Sequence, residues 1–86
     1  MIEHRTHPKF WECYNSLPAD AQRQASSAYE RLVQDPFHPS IHLKAVGSYW
    51  SARAGLHYRA LAVRKGDVFT WFWIGPHHEY DRLIKG

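Results

Sequence analysis

The residues most able to do chemistry lie in the second half of the chain. They are Lys44, Ser51, Arg53, Arg59, His77, His78 and Tyr80. Arg53 and Arg59 flank Gly55 and fall on two strands joined by a tight turn, close enough to share one face. Tyr49 and Ser51 alternate onto that face with Arg53, and Lys44 enters just upstream. His77, His78 and Tyr80 follow the end of the next strand and rim the same surface. Such a cluster suits RNA chemistry. Arginine neutralises phosphate and stabilises the charge that develops on a pentavalent phosphorus. Histidine and tyrosine donate and accept protons. Aromatic rings stack on bases exposed from single-stranded RNA. Attack of a ribose 2′-hydroxyl on its own phosphodiester needs these roles and no metal.

Each residue also has a plainer reading. Arg53 and Arg59 equally fit solvated strand positions or structural ion pairs. His77 suits the opening of a helix, and Tyr80 shares a helical stripe with Leu83 and Ile84, as a core residue would. Trp71 and Trp73 alternate onto one face of a strand and are expected in the core. His38 and His42 have an i, i+4 spacing, but Pro39 interrupts any helix between them and no third zinc ligand is evident. Asp81 with Arg82 reads as surface charge, and Cys13 as a small core residue.

These side chains need a scaffold, and the pattern predicts one. Phe10, Cys13 and Tyr14 lie on one face of a short helix that follows Pro8. From Ala19 to Gln34 the apolar positions Ala21, Ala25, Ala28, Tyr29, Leu32 and Val33 form an amphipathic stripe. Pro18 sits like a first-turn proline with Asp20 behind it, and Pro36 forces an end by Asp35. Tyr49–Ala54, Leu56–Arg64 and Val68–Ile74 read as three antiparallel strands, the last two joined by Lys65-Gly66-Asp67. The third strand is apolar on both faces, which places it centrally. Met1 to His7 suits either an edge strand or an irregular arm. His77–Lys85 suits a short terminal helix. The class is α+β, with two N-terminal helices packed on a small antiparallel sheet.

At 86 residues and 10.1 kDa the chain is expected to form one domain, residues 1–86. One cysteine excludes a disulfide framework or a multi-cysteine zinc site. No apolar run approaches a membrane span and the start carries no signal-peptide pattern, so a cytoplasmic protein is expected, with no membrane partner. The net charge of +3 is modest, and the aromatic content of 15% belongs mostly to the core. Tyr80, with Tyr49 or Trp50, is the aromatic candidate for touching RNA.

Several segments together resemble the RelE/ParE superfamily of bacterial type II toxins. They are Leu17-Pro18, Asp35-Pro36-Phe37-His38-Pro39-Ser40, Lys44, Trp50-Ser51-Ala52-Arg53-Ala54-Gly55, Tyr58-Arg59-Ala60 and Trp73-Ile74-Gly75-Pro76-His77-His78-Glu79-Tyr80. The resemblance runs from about Phe10 to Ile84. It implies a RelE-like fold, a cognate antitoxin as partner, and no cofactor. In the RelE-like branch it implies an endonuclease that cuts mRNA on the ribosome, without metal, by 2′-hydroxyl attack. Arg53 and Arg59 then match the phosphate-binding positions, His77 the residue acting on the leaving group, and Tyr80 the C-terminal tyrosine. Lys44, Ser51 and His78 are the expected RNA contacts, His78 standing in reserve for His77. Ser51 stands where some of these nucleases carry a second lysine. The ParE-like branch implies instead a poison of DNA gyrase. An inactive relative that only binds an antitoxin-like partner is the third expectation.

Overall fold

The computed structural model describes residues 2–85. The elements run β1 (Glu3–Thr6), α1 (Pro8–Asn15), α2 (Ala19–Gln34), β2 (Lys44–Val46), β3 (Tyr49–Gly55), β4 (Tyr58–Lys65), β5 (Val68–Pro76) and α3 (His77–Lys85). The strands form one sheet in the order β1-β5-β4-β3-β2.

Local signals account for the helix ends. His7 caps α1, its Nδ1 accepting from the Lys9 N–H at 3.1 Å, and Pro8 takes the first turn, where no N–H is needed. Pro18 is the N-cap of α2, one position ahead of the expected first turn. Asp35 ends the helix in an extended conformation, as the proline behind it requires. In the β4–β5 hairpin the two-residue turn Gly66-Asp67 needs the positive φ of +60° that glycine adopts without a Cβ clash.

The sheet differs from the expected one in three ways. It is mixed, because β1 lies parallel beside β5, with Glu3 opposite Val68 and Thr6 opposite Trp71. The polar run Glu3-His4-Arg5-Thr6 is therefore an edge strand. It is pinned by the Trp71 indole N–H donating to His4 Nδ1 at 3.1 Å. Lys44–Val46 adds a further short edge strand, β2, antiparallel to β3. Finally, β4 rather than β5 is the middle strand, although β5 is interior too.

Helices α1 and α2 cover one face. Alanines at 52, 54, 60 and 62 keep that face flat enough for Ala25 and Leu32 of α2 to approach, while Phe69, Trp71 and Ile74 supply volume. Burying each of the larger side chains stabilises the fold by roughly 1.5–3 kcal/mol. Phe10, Cys13, Tyr14 and Leu17 close this core from α1 and the loop behind it. The α2 stripe is only partly sealed: Ala21, Ala25 and Leu32 are buried, whereas Tyr29 and Val33 stay about half exposed at 49% and 54%.

A bulge in β5 has a larger effect. Ala62 pairs with Trp71 and Leu61 with Trp73, which leaves Phe72 unpaired. Adjacent residues of β4 point to opposite faces, so the two tryptophans do as well. Trp71 enters the core under α1 and α2, and Trp73 turns to the other face. That separates two residues expected on one side. Among the described residues no helix is long and apolar enough to cross a membrane.

Candidate functional site

The second face of the sheet carries two cross-strand rows. One runs Lys44, Ser51, Leu61, Trp73 across β2, β3, β4 and β5. The next runs Arg53, Arg59, Gly75. Directly paired residues share a face, so the topology does bring Lys44, Ser51, Arg53 and Arg59 together. Gly75 leaves room for its neighbour: a Cβ there would sit 2.5 Å from Cζ2 of the Trp73 ring.

Helix α3 folds across one end of this face. Its first backbone N–H, from His77, donates to the His57 carbonyl at 2.9 Å, which staples the helix to the start of β4. One turn on, Tyr80 drops onto the sheet. Its hydroxyl donates to Ser51 Oγ at 3.1 Å, and Arg59 Nη2 donates to the same oxygen at 3.1 Å. The Arg59 guanidinium also lies over the Tyr80 ring, 5.0 Å from its centroid.

This cluster is interior. Ser51, Tyr80 and Arg59 are 0%, 3% and 7% exposed. Ser51, expected as an RNA contact, is instead an internal acceptor for two donors. Tyr80 presents its phenol to Ser51 rather than to the surface, with its ring against Arg59. Among the described residues no carboxylate comes within ion-pair distance of Arg59, and its Nε, fully buried, has no hydrogen-bond partner. A buried cation ordinarily carries an anion beside it, since desolvation is costly otherwise. Among the described residues the counter-charge is absent, and a donor is left over.

His77 stands beside the cluster at the surface. Its ring centroid is 5.6 Å from that of Tyr80, and its side chain is 58% exposed. Nδ1 lies 3.2 Å from Asp81 Oδ2, one helical turn away. With Nδ1 beside the carboxylate, Nε2 is the ring nitrogen left for proton transfer. His78 is exposed and makes no hydrogen bond to a described residue. Of the two histidines, His77 is the one that adjoins Tyr80. Asp81 was not expected here, although its i, i+4 spacing from His77 was visible.

Lys44 is exposed on the short β2 edge. Arg53 is partly buried and its guanidinium makes neither an ion pair nor a hydrogen bond to a described residue. Tyr49 is exposed against Phe72 on this same face, with ring centroids 5.2 Å apart. Trp50, the other aromatic considered for RNA, packs on the opposite core under Arg64. No three metal-ligating side chains converge among the described residues. His38 is engaged locally, its Nδ1 2.8 Å from Ser40 Oγ.

No protein-family model and no curated protein matches the chain. Solved structures do. The chain is similar to one in the RelB–RelE antitoxin–toxin complex of Methanococcus jannaschii, at 14% identity and a TM-score of 0.69, over 91% of this chain and 96% of that one. It is similar to the isolated Escherichia coli RelE toxin, at 12% identity and a TM-score of 0.62, over 99% and 97%. A YoeB/ParE toxin from Agrobacterium tumefaciens matches at 14% identity and a TM-score of 0.64, over 88% and 99%. Near-complete coverage on both sides makes this a likeness of whole folds. The chain has the α+β fold of the RelE/ParE toxins.

Proposed function

From this fold and this site we propose that the chain is the toxin of a type II toxin–antitoxin pair, acting as a ribosome-dependent endonuclease on mRNA. The observation that carries the reading is Arg59: a guanidinium with no counter-ion among the described residues, fixed by Ser51 and Tyr80. A phosphodiester supplies the missing anion. In the reaction the ribose 2′-oxygen forms a bond to the adjacent phosphorus as the bond from phosphorus to the 5′-oxygen breaks. The 2′-proton leaves to a base, and the departing 5′-oxygen takes a proton. The products are a 2′,3′-cyclic phosphate and a 5′-hydroxyl. Arg59 stabilises the charge on the non-bridging oxygens. Nε2 of His77 is the proton-transfer group, its tautomer set by Asp81. Lys44 and Arg53 hold flanking phosphates, with His78 at the rim.

An antitoxin is the proposed protein partner, and two observations support it. The similar Methanococcus jannaschii structure is an antitoxin–toxin complex. In this chain an apolar cleft of about 390 Å³ opens between α1 and α2, with Trp11 and Tyr29 at its walls and both about half exposed.

The test is cleavage of a defined mRNA on purified translating ribosomes by wild type, Arg59→Ala and His77→Ala. Cleavage by wild type with sharp loss in both variants is expected. Equal cleavage by all three removes these residues from the mechanism. A folded wild type that leaves mRNA intact overturns the nuclease reading. The burial of Tyr80 and Arg59 favours one second reading, a ParE-like inhibitor of DNA gyrase that acts by surface binding alone. Loss of supercoiling by purified gyrase, with mRNA intact, selects it.

A further inference from the structure

A second cleft, of about 620 Å³, lies between α2, the chain around Ser40 and the end of β3. It is lined by Arg23, Ser27, Arg31, Ser40 and Arg53, with Asp20 the only carboxylate among its lining residues. Its formal charge is therefore +2. Arg23, Ser27 and Arg31 recur at i, i+4, i+8, so they form one stripe along α2. At 1.5 Å per residue the two arginines stand about 12 Å apart along the helix. The walls are fixed. Arg31 Nη1 donates to Ser40 Oγ at 3.1 Å, and Gln24 Oε1 accepts from the Leu56 N–H at 3.1 Å, which ties α2 to the β3–β4 turn. Among the described residues none of the three arginines is in an ion pair. A concave, rigid, like-charged surface focuses field toward an anion.

We propose that this cleft is a second phosphate-binding site, which grips the sugar–phosphate backbone of RNA beyond the scissile linkage. The occupant follows from position as well as charge. Arg53 lines the cleft and is the direct cross-strand partner of Arg59, so the cleft on the α2 side and the Arg59 site on the other face approach each other at the β3 margin. A strand held at Arg59 reaches the cleft by turning around that margin beyond Ser51, where β2 no longer pairs with β3. Two arginines a dozen ångströms apart suit a repeating polyanion better than a single small anion. The inference rests on the nuclease reading for the identity of the strand, and its test is kept separate from cleavage.

The experiment measures equilibrium binding of a fluorescent single-stranded oligouridylate, long enough to reach both sites, by anisotropy from 50 to 200 mM salt. Wild type, the double variant R23A/R31A, and Arg59→Ala are compared, with a tetranucleotide and polyglutamate as further probes. For R23A/R31A the expected result is at least tenfold weaker binding of the long RNA, a salt slope lower by about 1.4, and unchanged binding of the tetranucleotide. Circular dichroism controls for folding, and R23K/R31K, which keeps the charge, restores most of the affinity. Three outcomes overturn the proposal: wild type fails to bind the long RNA, R23A/R31A binds it as wild type does, or polyglutamate binds the cleft as tightly as RNA. Loss of long-RNA affinity in R23A/R31A without ribosomal cleavage by wild type supports the cleft and overturns the nuclease reading alone.

Discussion

The guanidinium of Arg59 lies 5.0 Å from the centre of the Tyr80 ring, and both side chains end on one oxygen, Ser51 Oγ. This places a cation from β4 and a phenol from α3 in a shared, dry environment. The hydroxyl oxygen has two lone pairs, and the two donors use both.

Tyr80→Phe removes one donor and keeps the ring under the guanidinium. It is expected to cost about 1 kcal/mol of stability. Ser51→Ala strands two buried donors and costs more, roughly 1–3 kcal/mol. Urea denaturation of both single variants and the double variant measures the coupling. Additive losses would dissolve the network. Arg59→Lys keeps the charge but loses the fork, and mRNA cleavage is expected to fall on the order of 100-fold.

His77→Ala is expected to reduce ribosomal mRNA cleavage by at least roughly 100-fold, as for loss of a general acid or base. Asp81→Asn keeps the shape of the pair and removes its charge. Because the pair is exposed, the expected loss is smaller, about tenfold or less. The readout is the cleavage rate of the three proteins. An unchanged rate in Asp81→Asn rules out the orienting role.

Acid should loosen the N-terminal strand. Burial lowers the pKa of His4 from its ordinary 6.5, and its Nδ1 must be unprotonated to accept from Trp71. The folded state therefore binds fewer protons here than the unfolded state. The contribution of His4 is present above pH 6.5 and is lost as pH falls below it. Thermal melts at pH 7.5 and 5.5 should show a larger drop in Tm for wild type than for His4→Asn. Equal drops would place the acid sensitivity elsewhere.

Gly75→Ala puts a methyl 2.5 Å from Cζ2 of the Trp73 ring, so the ring or the strand must shift. The expected cost is about 1–3 kcal/mol, read by chemical denaturation. A neutral result would mean that the ring swings away freely.

How far the sequence carries depends on the element. The α2 helix from Ala19 to Gln34 and α3 from His77 to Lys85 were legible to within a residue, because apolar periodicity and Pro36 act locally. The β1 strand was legible only as one of two options, since Glu3, His4, Arg5 and Thr6 have no strand pattern and owe their conformation to a partner far along the chain. The bulge at Phe72 was equally hidden, as alternation assumes an unbroken ladder. In the site, shared strand pairing was legible for Arg53 and Arg59. Their different fates were not: α3 seals Arg59 while Arg53 borders a cleft, and only packing decides that. Arg23 and Arg31 were visible merely as the polar side of a helix.

The pairing of β1 with β5 also fixes an order of assembly. Thr6 finds Trp71 only after the intervening chain exists, and Ser51 waits 29 residues for Tyr80. Contacts so distant in sequence form late and slowly. During synthesis α1 and α2 emerge before strands β2 to β5, and the arginine cluster is completed only when α3 follows β5. A nascent chain of this fold therefore carries no finished cluster until β5 and α3 are clear of the ribosome that makes them.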